Sequence, residues 1–95
     1  MADLEAETDR LRFQFLSVEL RLSLTFTQVA RVEFDSGDRE HGQQALGRAN
    51  RGYETITSFL ADPKHCRRLT GPQLDTLKES LRKLRDAIDG VQAPA

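Results

Sequence analysis

The first 35 residues contain neither proline nor glycine, and their apolar side chains recur with helical spacing. Leu4, Leu11, Phe15, Val18, Leu22, Phe26 and Val29 follow one another at steps of seven, four and three. At about 100° per residue they form one stripe roughly 80° wide. A second set, Phe13, Leu16, Leu20 and Leu24, lies roughly opposite. The spacing predicts one long helix over 3–35, with Asp3 as its cap and Glu5 and Glu7 suited to the positive end of its dipole. A helix with two apolar faces needs cover on both. One stretch competes: Val18–Phe26 alternates strictly between apolar and polar residues, which also suits a half-buried strand. Helix is preferred, because the helical stripe continues beyond both ends of the stretch and a lone strand has no pairing partner elsewhere.

Asp35-Ser36-Gly37-Asp38 is the first turn signal, with Ser36 or Asp38 placed to cap a second helix over 38–61. Its inner face reads Gly42, Ala45, Leu46, Ala49, Tyr53, Ile56, Phe59 and Leu60, small in the first half and large in the second. Gly42, Gly47 and Gly52 lie inside this helix, each costing about 1 kcal/mol relative to alanine. Such a cost is understandable where a glycine lets a neighbouring backbone approach closely. Asp62-Pro63 ends the helix, since proline cannot continue it. Residues 63–70 read as a loop, and Thr70-Gly71-Pro72-Gln73 as a capping box. Leu74, Leu77, Leu81, Leu84 and Ile88, with Val91 as a possible continuation, then form a three-four seam over a third helix, 72–90. Gly90 is the expected stop, and 91–95 the expected disordered tail.

Ninety-five residues suffice for one domain with a thin core. Short connections make sequential helices antiparallel. The expected fold is therefore all-α: a long helical hairpin plus a third helix, up-down-up, with the N-terminal end of the first helix overhanging its partners.

The turn and its flanks resemble a tetratricopeptide-repeat hairpin. Phe26, Val29 and Ala30 before the turn, Gly37-Asp38 within it, and Gly42, Leu46 and Ala49 after it match that repeat's large and small positions. The sequence departs from the repeat at Glu33, where an aromatic is preferred, and at Glu54, where a closing proline belongs. No second copy follows. The three-helix layout is also similar to microtubule-interacting-and-transport domains. The resemblance implies a protein- or peptide-binding module.

Net charge is −1, which gives no bulk attraction to nucleic acid or to an anionic membrane. Residues 1–62 hold seven Arg against eleven acids, and residues 63–95 hold seven Lys or Arg against four. The basic positions Lys78, Arg82 and Arg85 are interleaved with Asp75, Glu79 and Asp86, a pattern of intrahelical ion pairs rather than phosphate contacts. No apolar run approaches the ~18 residues of a membrane span. The single Cys66, with no signal-peptide pattern, points to a reducing cytoplasm.

Few residues suggest chemistry. His41 reads as a solvated residue beside Glu40. His65 and Cys66 are adjacent and lack the further ligands that zinc requires, so no metal and no cofactor is expected. Lys64, His65, Arg67 and Arg68 surround Cys66, a setting that favours thiolate. Lys64, Arg67 and Gly71 at the start of the third helix could form an anion site. No acid–base or nucleophile–base pair can be nominated, so no enzyme is expected. The expected function is a non-enzymatic interaction or scaffold module, binding a protein partner or pairing as a homodimer. Phe13, Leu16, Leu20 and Leu24 are its expected interface, unless the other two helices straddle the first and cover both its faces. The alternative is a small redox- or anion-responsive protein acting through Cys66 and the basic loop 64–68.

Overall fold

The computed structural model describes the backbone of residues 2–92 and the side chains of residues 7–91. The chain forms α1 (Ala2–Asp35), α2 (Arg39–Ala61), the short α3 (Pro63–Cys66) and α4 (Gly71–Gln92), with no strand among the described residues. The alternating stretch from Val18 to Phe26 is helical. Helices α1, α2 and α4 each pack against the other two. They make a rod of 54 × 18 × 17 Å. At 1.5 Å per residue, the 34 residues of α1 span nearly its whole length.

Local chemistry sets the helix ends. Gly37 adopts φ +88°, the left-handed conformation that glycine takes without steric cost. The Asp38 N–H then donates to the Glu33 carbonyl (2.8 Å) and the Gly37 N–H to that of Phe34 (3.1 Å). These two bonds close α1 in a Schellman motif. Asp38, rather than Ser36, caps α2 by accepting the His41 N–H at 3.1 Å. At the far end Asp62 accepts the Lys64 N–H at 2.9 Å and starts α3. The segment expected as a loop thus contains one helical turn, too short to leave a periodic signal. The capping box forms as expected: Gln73 Oε1 accepts the Thr70 N–H (3.0 Å), and Thr70 Oγ1 accepts the Gln73 N–H (3.2 Å).

Helix α4 does not stop at Gly90. It continues to Gln92, and Val91 packs on Ala30 and Ala45 beside Phe34 and Leu46. The expected disordered tail is therefore corrected at Val91. Burying a valine contributes about 1.5–3 kcal/mol, more than the ~1 kcal/mol cost of a helical glycine. Residues 93–95 lie outside the described part, as do the side chains of Asp3, Leu4 and Glu5. At the expected overhang, Arg68 reaches back across the rod to pair with Asp9 at 3.7 Å.

The main core comprises Leu16 and Leu20 from α1, Ala49 and Ile56 from α2, Leu69, and Leu77, Leu84 and Ile88 from α4. Leu46, Tyr53, Phe59, Leu60, Leu74 and Leu81 pack around it, so α2 and α4 present the faces their spacing predicts.

For α1 the expected roles of the two faces are reversed. The residues expected at an interface lie inward: Leu16 and Leu20 are buried, and Phe13 and Leu24 pack against the core. Ser23, Thr27 and Ala30 continue that buried face towards the turn. On the other stripe Leu11, Phe15, Val18, Leu22 and Val29 are exposed and Phe26 is half-buried against the core. Nor do α2 and α4 straddle α1. Because they also touch each other, the three helices close a triangle, and α1 meets both neighbours on one side.

Residue size explains which side turns in. The first half of α2's face is small, so its crossing with α1 is close and admits small partners. Ser23, Thr27 and Ala30 supply them, whereas the opposite stripe carries Phe26, Val29 and Val32 at the same levels. Gly52 marks the tightest point. A Cβ there would overlap the Ser23 hydroxyl and stand 3.1 Å from the Ser23 Cβ. A Cβ at Gly42 would come 2.6 Å from the Phe34 ring. Gly42 therefore makes room for a side chain, Gly52 chiefly for the Ser23 side chain with the Glu19 backbone carbonyl 4.0 Å away, and Gly47 has nothing within 4 Å.

Candidate functional site

The largest chemically coherent feature is the outer face of α1. Leu11, Phe15, Val18, Leu22, Val29 and Val32 are each between 41% and 64% exposed. Their positions follow a regular alternation of four and three, broken only by Thr25, whose hydroxyl donates to the Arg21 carbonyl of its own helix at 3.1 Å. Phe26 lies half-buried at the edge, its ring 5.4 Å beneath the Arg48 guanidinium. A shallow groove between α1 and α2, lined in part by Arg48 and Gly52, shares Leu22 and Phe26 with this face. The helix presents apolar surface here because its core side is already filled by Leu16, Leu20, Ser23, Thr27 and Ala30.

The basic segment is arranged differently from a ligand site. Lys64 and Arg67 are exposed on α3 and at its end, and Gly71 is the exposed first residue of α4. The Thr70–Gln73 box already bonds the Gln73 N–H at that helix end. Arg68 is paired with Asp9. Cys66 is half-buried, and its thiol donates to the Leu60 carbonyl at 2.7 Å. Its sulfur is thus turned onto a backbone oxygen. Reactive thiolates need instead an accessible, electropositive setting. His65 stacks on Phe59 with ring centroids 4.2 Å apart and stands 3.7 Å from Asp62, which anchors α3 rather than leaving the imidazole free.

One trio of metal-capable groups comes together among the described residues. Glu33, Asp38 and His41 have ligand atoms all within 4.8 Å of one another. No spacing in the chain announces it, because Glu33 joins only through the turn that folds α1 back over α2. The trio is largely accounted for by capping. Asp38 bonds both the His41 backbone N–H and its Nδ1, the latter at 2.5 Å. The side-chain bond to Asp38 raises the His41 pKa above its ordinary 6.5, and the same bond holds the Asp38 carboxyl below 3.8.

On α4 the expected intrahelical pairing is seen at Arg82, and Arg85 pairs with Asp89 instead of with Asp86. Arg82 bonds Glu79 (2.7 Å) and Asp86 (2.9 Å), and Arg85 lies 3.4 Å from Asp89. The Arg82 bond depresses the Glu79 pKa. Arg85 also lies over the Tyr53 ring at 5.6 Å. No helix among the described residues is long and apolar enough to cross a membrane. A scan of protein-family models and searches of curated proteins and of solved structures found nothing that matches this chain.

Proposed function

We propose that this chain is a non-enzymatic helical interaction module whose docking surface is the outer face of α1. The carrying observation is the row of six large apolar side chains, each between 41% and 64% exposed on one helix. The largest contiguous apolar patch on a monomeric protein is typically about 300–600 Å² and is often functional, and a face of this size stands at the upper end of that range. The face is rigid, since its helix is anchored along the opposite side by buried Leu16, Leu20 and Ala30. It therefore meets a partner without first being ordered, which removes one of the ordinary costs of association. The tetratricopeptide-like turn agrees with a binding role.

Site-specific photo-crosslinking in cells of the native source tests the reading. A photoreactive residue at Phe15 or Leu22 is expected to give discrete protein adducts, and one at Thr57, exposed on α2, to give none. Equal labelling from all three positions, or none from any, would remove the docking surface.

A further inference from the structure

The α1 face fits one kind of occupant better than others, and this step rests on the docking surface just proposed. We infer that the occupant is a second copy of this chain, its own α1 lying along the first.

Three observations support this. The first is register. Leu11, Phe15, Val18, Leu22, Thr25, Val29 and Val32 repeat every seven residues in four-three alternation over three full heptads. That is the spacing of a two-helix seam, where side chains of one helix enter holes formed by four residues of another. The buried face of α1 keeps the same alternation through Leu16, Leu20, Ser23, Thr27 and Ala30, and there helices do fill it. The outer row is a second seam of the same type with no helix against it. Within the described part of this chain, only α1 has such a spare seam. The outward sides of α2 and α4 carry Arg39, Gln43, Glu54, Lys78, Glu79 and Arg82, all exposed.

The second observation is area. Six side chains exposed to 41–64% present on the order of 600 Å² of surface per copy, most of the ~800 Å² per partner that a stable interface buries. The seam runs about 32 Å from Leu11 to Val32 at 1.5 Å per residue, so its flanks supply the remainder.

The third is charge. No charged residue interrupts the row. One flank carries Glu7, Arg21 and Asp35, and the other Arg12, Glu19 and Glu33. Each flank holds both signs, so neither a parallel nor an antiparallel pairing sets a wholly acidic edge against its like.

Light scattering of the full chain across about micromolar to millimolar concentration tests the inference. The expected mass is twice the 10.7 kDa of one chain. Leu22→Glu is expected to return it to the single-chain mass with helical circular dichroism unchanged, and Thr57→Glu to leave the pair intact. If Leu22→Glu loses helicity, Val18→Gln takes its place with the same expectation. A single-chain mass throughout would overturn self-pairing, as would a dimer that survives both Leu22→Glu and Val18→Gln. The photo-crosslinks separate this failure from that of the broader reading. A single-chain mass with Leu22 adducts to a different protein defeats the second copy and leaves the docking surface standing. A single-chain mass with no adduct defeats both.

Discussion

Gly47 and Gly52 sit on the same helix and respond to the same substitution with opposite signs. Gly47 has open space where a Cβ would stand, so Gly47→Ala only relieves the entropic cost of glycine within a helix. It should raise unfolding free energy by about 0.5–1 kcal/mol. At Gly52 the new methyl meets Ser23, which is itself buried beneath the α1–α2 crossing. Gly52→Ala should lower stability by ~1–3 kcal/mol, as overpacking does. Adding Ser23→Ala should recover part of the loss, because the overlapping atom is the hydroxyl. Urea denaturation of the four chains at one fixed protein concentration measures the coupling. Additive effects of Gly52→Ala and Ser23→Ala would contradict the close crossing. The Asp38–His41 pair makes a separate prediction about pH. A histidine whose pKa rises on folding contributes stability fully below about 6.5 and loses it as pH climbs through the raised value. Asp38, depressed, contributes above 3.8 and loses it as pH falls through its lowered value. The cap is therefore strongest between those limits. An NMR titration of the His41 ring should give a midpoint above 6.5, which Asp38→Asn should bring back towards it; a midpoint indifferent to Asp38→Asn would refute the pairing.

Among the helices, α2 and α4 were legible in the sequence because each has one apolar face. Periodicity then settles both the helix and its inner side, and Ile56, Leu77, Leu84 and Ile88 lie buried as their spacing requires. The long helix α1 was equally legible as a helix but not in its orientation. Spacing alone cannot say which of two apolar stripes turns inward. The distinguishing signal was size rather than hydropathy. Ala45, Ala49 and Gly52 need small residues opposite, and Ser23, Thr27 and Ala30 continue the stripe of Leu16 and Leu20 at the right levels. Two of those three are polar, so a reading by hydropathy ends that stripe at Leu24. The short α3 escaped for another reason: its four residues rest on the Asp62 cap and Pro63, with no period to detect. Val91 lay beyond a glycine that ordinarily ends helices, and only its burial against Ala30 and Ala45 carries α4 past it.

At the scale of the whole molecule, three helices that all touch one another leave an outward side on each. On α2 and α4 that side is largely polar. On α1 it is apolar for three heptads save Thr25, and α1 is the helix that runs nearly the full 54 Å of the rod. The molecule thus has one smooth apolar edge along its long axis, with the Cys66 loop and the Asp38–His41 cap beyond the row. Its shape suits side-by-side association better than enclosure of a small ligand. All of this depends on the sidedness of α1, which paired substitutions on opposite faces test most directly. Leu20→Ala and Leu22→Ala remove the same atoms two residues apart. Thermal unfolding, measured dilute enough for single chains, should show Leu20→Ala losing ~2–5 kcal/mol, or at least about 8 °C in Tm. Leu22→Ala should cost about 1 kcal/mol or less under the same conditions. A larger loss at Leu22 than at Leu20 would mean that the other stripe faces the core, and would contradict the docking surface and the self-pairing built on it.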